Sequence, residues 1–302
     1  MNFTQIKMII CDMDGTLLDN QKNLPPHFNQ IYKELYDRNI IFAISSGRQM
    51  GEVRKYFEGN KTIYLMAENG GYIQHNGDTL LADYMNQEDV YKLTNFVNTL
   101  KGTAPMLSGK KAMYAFNKDK ELISKHTSHF NITYVDTIED IDDDIFKITV
   151  CDPMDPVKNC LEGPLSCIKG FEVKPSGDCW IDINKKGQSK ADSVVFLQKT
   201  LSISEEETMV FGDSDNDLSM FTHAYYSYAM KNADHFIQSK ARFVTQEDND
   251  HDGVMKTIQR LIHIKDQKFQ FLIERSHRRC DRFQDRVSGS NNFTQNGIIP
   301  FI

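Results

Sequence analysis

Several features of membrane, secreted and nucleic-acid-binding proteins are missing from this chain of 302 residues. No apolar run approaches the roughly 18 residues that a transmembrane helix needs. The first apolar segment is short and runs directly into Asp12, unlike a secretory signal peptide. The net charge is -7, so the basic excess typical of nucleic-acid-binding proteins is also missing. We therefore expect a globular, cytoplasmic protein that binds neither membranes nor nucleic acid.

Cysteine and histidine are present, but not at the spacings of metal ligands. None of the six cysteines forms a C-x-x-C pair, and the nine histidines show no ligand spacing either. A zinc site is therefore disfavoured, even within the group between residues 151 and 179. Together with the missing secretion signal, this spacing predicts reduced thiols: Cys11, Cys151, Cys160, Cys167, Cys179 and Cys280.

The most informative stretch that is present begins with an apolar run, residues 8–11, and continues into Asp12, Met13, Asp14, Gly15 and Thr16. The run predicts a buried strand, and glycine and threonine after the carboxylates suit a turn. Ligands of open α/β sheets bind beyond the carboxyl ends of strands, which is where this pair falls. Two bare carboxylates raise each other's pKa, and a bound cation would relieve that repulsion.

The order of elements predicts the fold class and the domains. Apolar strands alternate with amphipathic helices over residues 1–82 and again over 186–264, which predicts a doubly wound, parallel, Rossmann-like three-layer α/β core. The pattern changes over 83–185, which we interpret as an inserted α+β cap domain with hinges near 82–84 and 184–187. Residues 265–302 are more basic and end in a linker-like segment. They are interpreted as a disordered tail, a sequence artefact or a basic interaction arm.

Polar side chains recur at four places where a predicted strand or hinge ends, and a parallel sheet would bring them to one edge. The carboxylate oxygens, without histidine or cysteine, favour Mg²⁺ over zinc. Lysine, hydroxyl and amide groups around such an ion suit a phosphoryl group. One carboxylate would then act as nucleophile and its neighbour as acid and base. The clusters are Asp12 with Asp14, Ser46 with Arg48, Lys190 alone, and Asp213 with Asn216 and Asp217.

On these motifs, the chain resembles the haloacid dehalogenase-like superfamily, and within it the Cof-type phosphatases with a large α/β cap, over about residues 6–264. The resemblance implies the role of each matching residue: Asp12 is the nucleophile, Asp14 the acid and base, Ser46 with Gly47 the phosphate-binding loop, Lys190 and Asn216 further phosphate ligands, and Asp213 a Mg²⁺ ligand with Asp12 and the Asp14 carbonyl. It also implies that Asp217 supports the metal shell.

The implied function is a Mg²⁺-dependent phosphatase that hydrolyses small phosphorylated metabolites through an aspartyl-phosphate. A phosphomutase of the phosphomannomutase type and a non-catalytic phosphate-binding regulator remain alternatives. The chain departs from the family pattern at three positions. Ser46 stands where the family usually has threonine, Ala191 where it usually has glycine, and Asp182 where it commonly has glutamate.

Simpler interpretations of single residues also stay open. Ser46 could be only a helix N-cap, Lys190 a solvated lysine, and Asp213 and Asp217 turn formers. A surface salt bridge is favoured for Arg48. Tyr114, Lys174 and Trp180 are candidate substrate contacts in the cap, although cap core is favoured for the tryptophan.

Overall fold

The structure, a computed structural model, describes residues 5–127 and 131–262, and residues 5–255 form one compact unit. The tail predicted over 265–302, with Cys280, lies outside the described residues. The described residues contain fourteen β-strands: β1 (Met8–Asp12), β2 (Ile41–Ser45), β3 (Tyr64–Ala67), β4 (Tyr72–His75), β5 (Asp78–Ala82), β6 (Ala104–Gly109), β7 (Met113–Phe116), β8 (Ile132–Val135), β9 (Ile145–Cys151), β10 (Phe171–Gly177), β11 (Trp180–Lys185), β12 (Thr208–Gly212), β13 (Tyr226–Ala229) and β14 (Phe243–Val244).

Helices connect these strands. Within the same described ranges they are α1 (Phe28–Asp37), α2 (Met50–Tyr56), α3 (Gln87–Asn98), α4 (Lys120–His126), α5 (Lys190–Leu201), α6 (Leu218–Phe221), α7 (His235–Lys240) and α8 over residues 253–262. Short 3₁₀ turns include Glu68–Gly70, Ile138–Asp140, Glu205–Glu207 and Asp215–Asp217. Among the described residues, no helix is long and apolar enough to cross a membrane.

The first sheet has eight strands in the order β14-β13-β12-β1-β2-β3-β4-β5. The pairs from β14 to β3 are parallel, and β4 and β5 form an antiparallel hairpin at one edge. This hairpin turns at Asn76 and Gly77, whose φ angles of 54° and 85° match the left-handed conformation of a two-residue turn. The sheet confirms the predicted α/β class with a parallel core.

Strand β1 lies near the centre of this sheet and is buried along its whole length. Met8 and Ile10 face the core cluster that contains Val194 of α5. On the other face of the sheet, Phe42 of β2 packs edge-on against Phe28 of α1, with ring centroids 5.8 Å apart. Helices therefore cover both faces, which explains why the parallel strands read as continuous apolar runs.

The second sheet uses residues 104–185 in the order β10-β11-β9-β6-β7-β8, with only β7 and β8 parallel. Helix α3 packs on one face through Val90 and Val97, among the side chains of a second core cluster. The chain leaves the first sheet after Ala82 and leaves the second after Lys185. The predicted limits of the cap fall at the same places, although the assignment of two domains stays a prediction.

Three elements differ in detail from what the sequence predicts. The apolar run of residues 62–66 predicts the third strand, but β3 begins at Tyr64, because Asn60 Oδ1 accepts the backbone N–H groups of Thr62 and Ile63 in a turn. Residues 179–183 predict a half-buried strand, and the observed strand begins at 180 and extends to 185. The acidic run 139–144 predicts a solvated loop, but it partly forms a 3₁₀ turn, and Asp143 accepts a hydrogen bond from Tyr114.

Candidate active site

The carboxyl end of β1 meets the start of α5. Lys190, the first residue of that helix, is 1% exposed, and its Nζ lies 2.5 Å from Asp12 Oδ1 and 2.6 Å from Asp217 Oδ1. The alternative interpretation of Lys190 as a solvated lysine is therefore wrong. Among the described residues, no protein group hydrogen-bonds the second oxygen of Asp12, Oδ2. That oxygen is available to a ligand.

Three carboxylates converge beside this lysine. Ligand oxygens of Asp12, Asp213 and Asp217 lie within 4.8 Å of one another. Asp217 Oδ2 accepts hydrogen bonds from the backbone N–H groups of Asp213 and Ser214, at 2.9 Å and 3.1 Å. Both oxygens of Asp217 accept hydrogen bonds, so this side chain orients the loop. Asp12 and Asp213 each have one oxygen, Oδ2, that accepts no hydrogen bond from the described residues and can reach a cation.

The electrostatics of the cluster favour a bound cation. Burial, followed by the charge of Asp217, raises the pKa of Asp213 to about 6. Burial also raises the pKa of Asp12 well above its usual value, with Asp217 and Asp213 adding to the effect and Lys190 opposing it. One lysine cannot balance three carboxylates, so a divalent cation would lower the energy of the ionised cluster. The donors are hard oxygens, which fit Mg²⁺.

Gly15 allows the two aspartate loops to approach. Its φ angle of +76° is left-handed, and a Cβ atom added there would lie 2.3 Å from Asp213 Oδ2. The next residue, Thr16, donates a hydrogen bond of 2.7 Å to Asp213 Oδ1. The turn after β1 therefore leaves space for the carboxylate of Asp213, which follows β12, and also orients it.

Asp14 has two basic partners. Arg48 Nε and Nη2 each lie 2.6 Å from one of its oxygens, and Lys22 Nζ is 2.7 Å from Oδ1. Burial disfavours the ionised carboxylate, but the hydrogen bonds and charge of Arg48, with those of Lys22, outweigh burial and lower the pKa of Asp14. Arg48 therefore forms the salt bridge that was favoured for it, but its side chain is only 16% exposed, so the pair is partly buried.

Ser46, Gly47 and Asn216 line the same cleft as Asp12 and Lys190. Ser46 Oγ accepts the backbone N–H of Arg48 at 3.1 Å. The N-cap of α2 is Gln49, so the N-cap interpretation of Ser46 was also wrong.

The cleft has a volume of about 1020 Å³ and is roofed by the second sheet. Lys147 Nζ of β9 donates to the carbonyl oxygen of Gly47 and to Asp182 Oδ2, both at 2.8 Å. Of the candidate substrate contacts in the cap, Lys174 and Trp180 line the cleft. Tyr114 does not: it belongs to the core cluster on the other face of the sheet.

The chain matches the model of the haloacid dehalogenase-like hydrolase family over residues 9–258 and belongs to that family. It is 27% identical to the 5-amino-6-(5-phospho-D-ribitylamino)uracil phosphatase YbjI of Escherichia coli, over 85% of this chain and 96% of the relative. A second phosphatase named for the same activity, YcsE of Bacillus subtilis, is 27% identical over 84% of this chain and 94% of its own.

Among solved structures, that of SMU.1108c from Streptococcus mutans has a TM-score of 0.78 and 27% identity, covering 85% of this chain and 99% of the other. The resemblance drawn from the motifs is confirmed: the protein is a haloacid dehalogenase-like phosphatase of the Cof type.

Proposed function

We propose that this phosphatase is Mg²⁺-dependent and hydrolyses small phosphorylated metabolites through an aspartyl-phosphate intermediate. One observation carries the proposal: Lys190 hydrogen-bonds one oxygen of Asp12 beside the carboxylate of Asp213, and Asp12 lines the cleft with its second oxygen unbonded by the described residues. A nucleophile needs a free oxygen, and the transferred phosphoryl group needs positive charge around it.

In the proposed reaction, Asp12 Oδ2 attacks phosphorus in line with the ester oxygen, and the P–O bond to the leaving group breaks. Asp14 gives its proton to the leaving oxygen, and it then takes a proton from the water that hydrolyses the aspartyl-phosphate. The second step needs ionised Asp14, which Arg48 favours. The first needs the protonated form, so we expect the incoming phosphate dianion to draw Arg48 away from Asp14.

The remaining side chains serve binding in this proposal. Lys190, Ser46, the loop at Gly47 and Asn216 offset charge on the phosphate oxygens. When held by Asp12, Asp213 and the Asp14 carbonyl, Mg²⁺ supplies further positive charge there. The hydrogen bonds of Asp217 to the following loop keep that metal site in shape.

The substrate is proposed from the relatives and the cleft. Three of the relatives are named as phosphatases of 5-amino-6-(5-phospho-D-ribitylamino)uracil, which makes that compound the first to assay. A cleft of about 1020 Å³ has room for a metabolite of that size.

The proposal is tested by phosphate release from p-nitrophenyl phosphate and from a panel of metabolite phosphates, with Mg²⁺ and with excess chelator. We expect Mg²⁺-dependent release that Asp12→Asn abolishes and that the exposed control Asp37→Asn leaves intact. Turnover by Asp12→Asn would reject the nucleophile. Phosphate transfer to a sugar phosphate without release of inorganic phosphate would indicate a phosphomutase instead.

A further inference from the structure

The roof of the cleft is one face of the second sheet, and strand alternation decides which side chains it presents. In register across the sheet, Met106 of β6 lies opposite Thr149 of β9, which lies opposite Asp182 of β11. The neighbouring residues Ile148 and Ile181 belong to the core cluster on the other face. Met106, Thr149 and Asp182 line the cleft, so this face is placed to contact a group attached to the phosphate.

A buried pair at the centre of this face offers a donor beside an acceptor. Among the described residues, Lys147 uses two of its three N–H donors, for the Gly47 carbonyl and for Asp182 Oδ2. Asp182 Oδ1 accepts a hydrogen bond of 2.7 Å from Thr149. Each oxygen of Asp182 therefore keeps one lone pair, and Lys147 keeps one proton. A hydroxyl group both donates and accepts, so it can satisfy both partners at once.

The charge of the roof argues against a second anionic group on the substrate. Lys147 pairs with Asp182, and Lys174 pairs with Glu172 at 2.8 Å. These four charges cancel, so the face offers no net positive charge to another phosphate or a carboxylate. Neutral hydrogen-bonding groups fit it better.

Apolar side chains adjoin the polar pair on the same face. Trp180 and Met113 line the cleft, and Trp180 packs against the cluster that contains Met113. A leaving group that bonds Asp182 near its ester would extend toward this apolar part of the roof. The face thus suits a hydroxylated chain that ends in a flat or apolar group.

We infer that Asp182, held by Lys147 and Thr149, selects phosphate monoesters whose leaving group carries hydroxyl groups close to the ester. The inference rests on the proposed phosphatase function and adds a specificity residue to it. The contact of Lys147 with the Gly47 carbonyl sets the distance of this pair from the phosphate-binding loop, so the chain hydroxyls nearest the phosphate are the ones recognised.

The test compares two esters with five-carbon chains, ribitol 5-phosphate and pentyl phosphate, which differ only in hydroxyl groups. A site built to bond a hydroxyl rejects an analogue that lacks it, so the wild-type ratio of kcat/KM should favour ribitol 5-phosphate about tenfold or more. Asp182→Asn loses one acceptor and leaves Lys147 without its charge partner, and it should bring this ratio close to one. The matched control is Asp178→Asn, the same change at an exposed position of the same hairpin.

Thr149→Val is a second variant, which keeps the buried ion pair and removes only the hydrogen bond that orients Asp182. It should lower the ratio about threefold. If a thermal melt shows that Asp182→Asn does not fold, the ratio measured for Thr149→Val tests the inference in its place. A wild-type ratio near one, or an unchanged ratio in both variants, would overturn the inference. If the wild type also releases no phosphate from p-nitrophenyl phosphate or the metabolite panel, the proposed phosphatase function fails as well.

Discussion

Replacing Gly15 with alanine tests whether the two aspartate loops form one metal site. The added Cβ would lie 2.3 Å from Asp213 Oδ2, whereas ordinary van der Waals contact begins at 3.4 Å, so the carboxylate must move by about 1 Å. Misplacement by that distance can reduce a rate about 10²-fold. We therefore expect Gly15→Ala to lower kcat/KM by about 10²-fold and to raise the Mg²⁺ concentration needed for half-maximal activity.

The control for this variant is Gly77→Ala in the β4–β5 hairpin. Both glycines are left-handed, with φ of +76° and +85°, but a Cβ at Gly77 meets nothing within 4 Å. Both variants should therefore lose about 1–2 kcal/mol of unfolding free energy from the left-handed conformation. Only Gly15→Ala should change the Mg²⁺ dependence, measured by titrating the metal at saturating p-nitrophenyl phosphate.

Equal Mg²⁺ dependence in Gly15→Ala, Gly77→Ala and the wild type would refute the reasoning. In that case Asp213 either does not bind the metal or moves without cost. A loss of activity in Gly15→Ala that high Mg²⁺ concentrations reverse would support the metal site.

Three further predictions concern buried charges. Burial raises the pKa of Glu68 from 4.5 to about 7. The folded protein therefore keeps a proton on Glu68 that the unfolded chain releases near pH 4.5. Because of this difference, the free energy of unfolding falls as the pH rises from 4.5 to about 7. Glu68→Gln should remove up to about 3 kcal/mol of that fall, measured by urea unfolding at several pH values. Arg48→Lys cannot form the two-pronged pair with Asp14 and should lower kcat about tenfold. Lys190→Met leaves two buried carboxylates unpaired and should lower unfolding free energy by about 3 kcal/mol and nearly abolish turnover.

Each of these variants has an exposed or less buried control of the same chemical change: Glu58→Gln, Arg54→Lys in α2, and Lys199→Met in α5. A stability profile of Glu68→Gln that runs parallel to the wild type would contradict its raised pKa. Wild-type kcat in Arg48→Lys would mean that Asp14 needs no fixed partner. Unchanged stability in Lys190→Met would show that the carboxylates become neutral without cost.

Local signals account for what the sequence predicted well. The apolar runs of the parallel strands, and their alternation with amphipathic helices, each depend on nearby residues. The four polar clusters were predicted to meet because parallel strands end at one edge, and the short distances from Lys190 to Asp12 and Asp217 agree with that expectation. The chemical roles of these residues stay predictions that the experiments above address.

Contacts between side chains that are distant in the sequence could not be predicted from such local signals. The ion pair of Arg48 with Asp14 joins loops 34 residues apart, and Arg48 also lies over the ring of Tyr56 in α2. In the cap, the sequence likewise could not predict which face of the sheet carries Tyr114 and which carries Trp180. A shift of one residue along a strand moves a side chain to the other face of the sheet, and sequence alone does not fix that phase.

The central position of β1 also affects how the chain is made. One edge of this strand pairs with β2 soon after synthesis, but its other edge pairs Met8 with Thr208, about 200 residues later. At ribosomal rates of 5–20 residues per second, that edge stays open for roughly 10 to 40 seconds. During this time the nascent chain exposes the apolar residues of this strand beside Asp12, so we expect chaperone contact at this strand during translation.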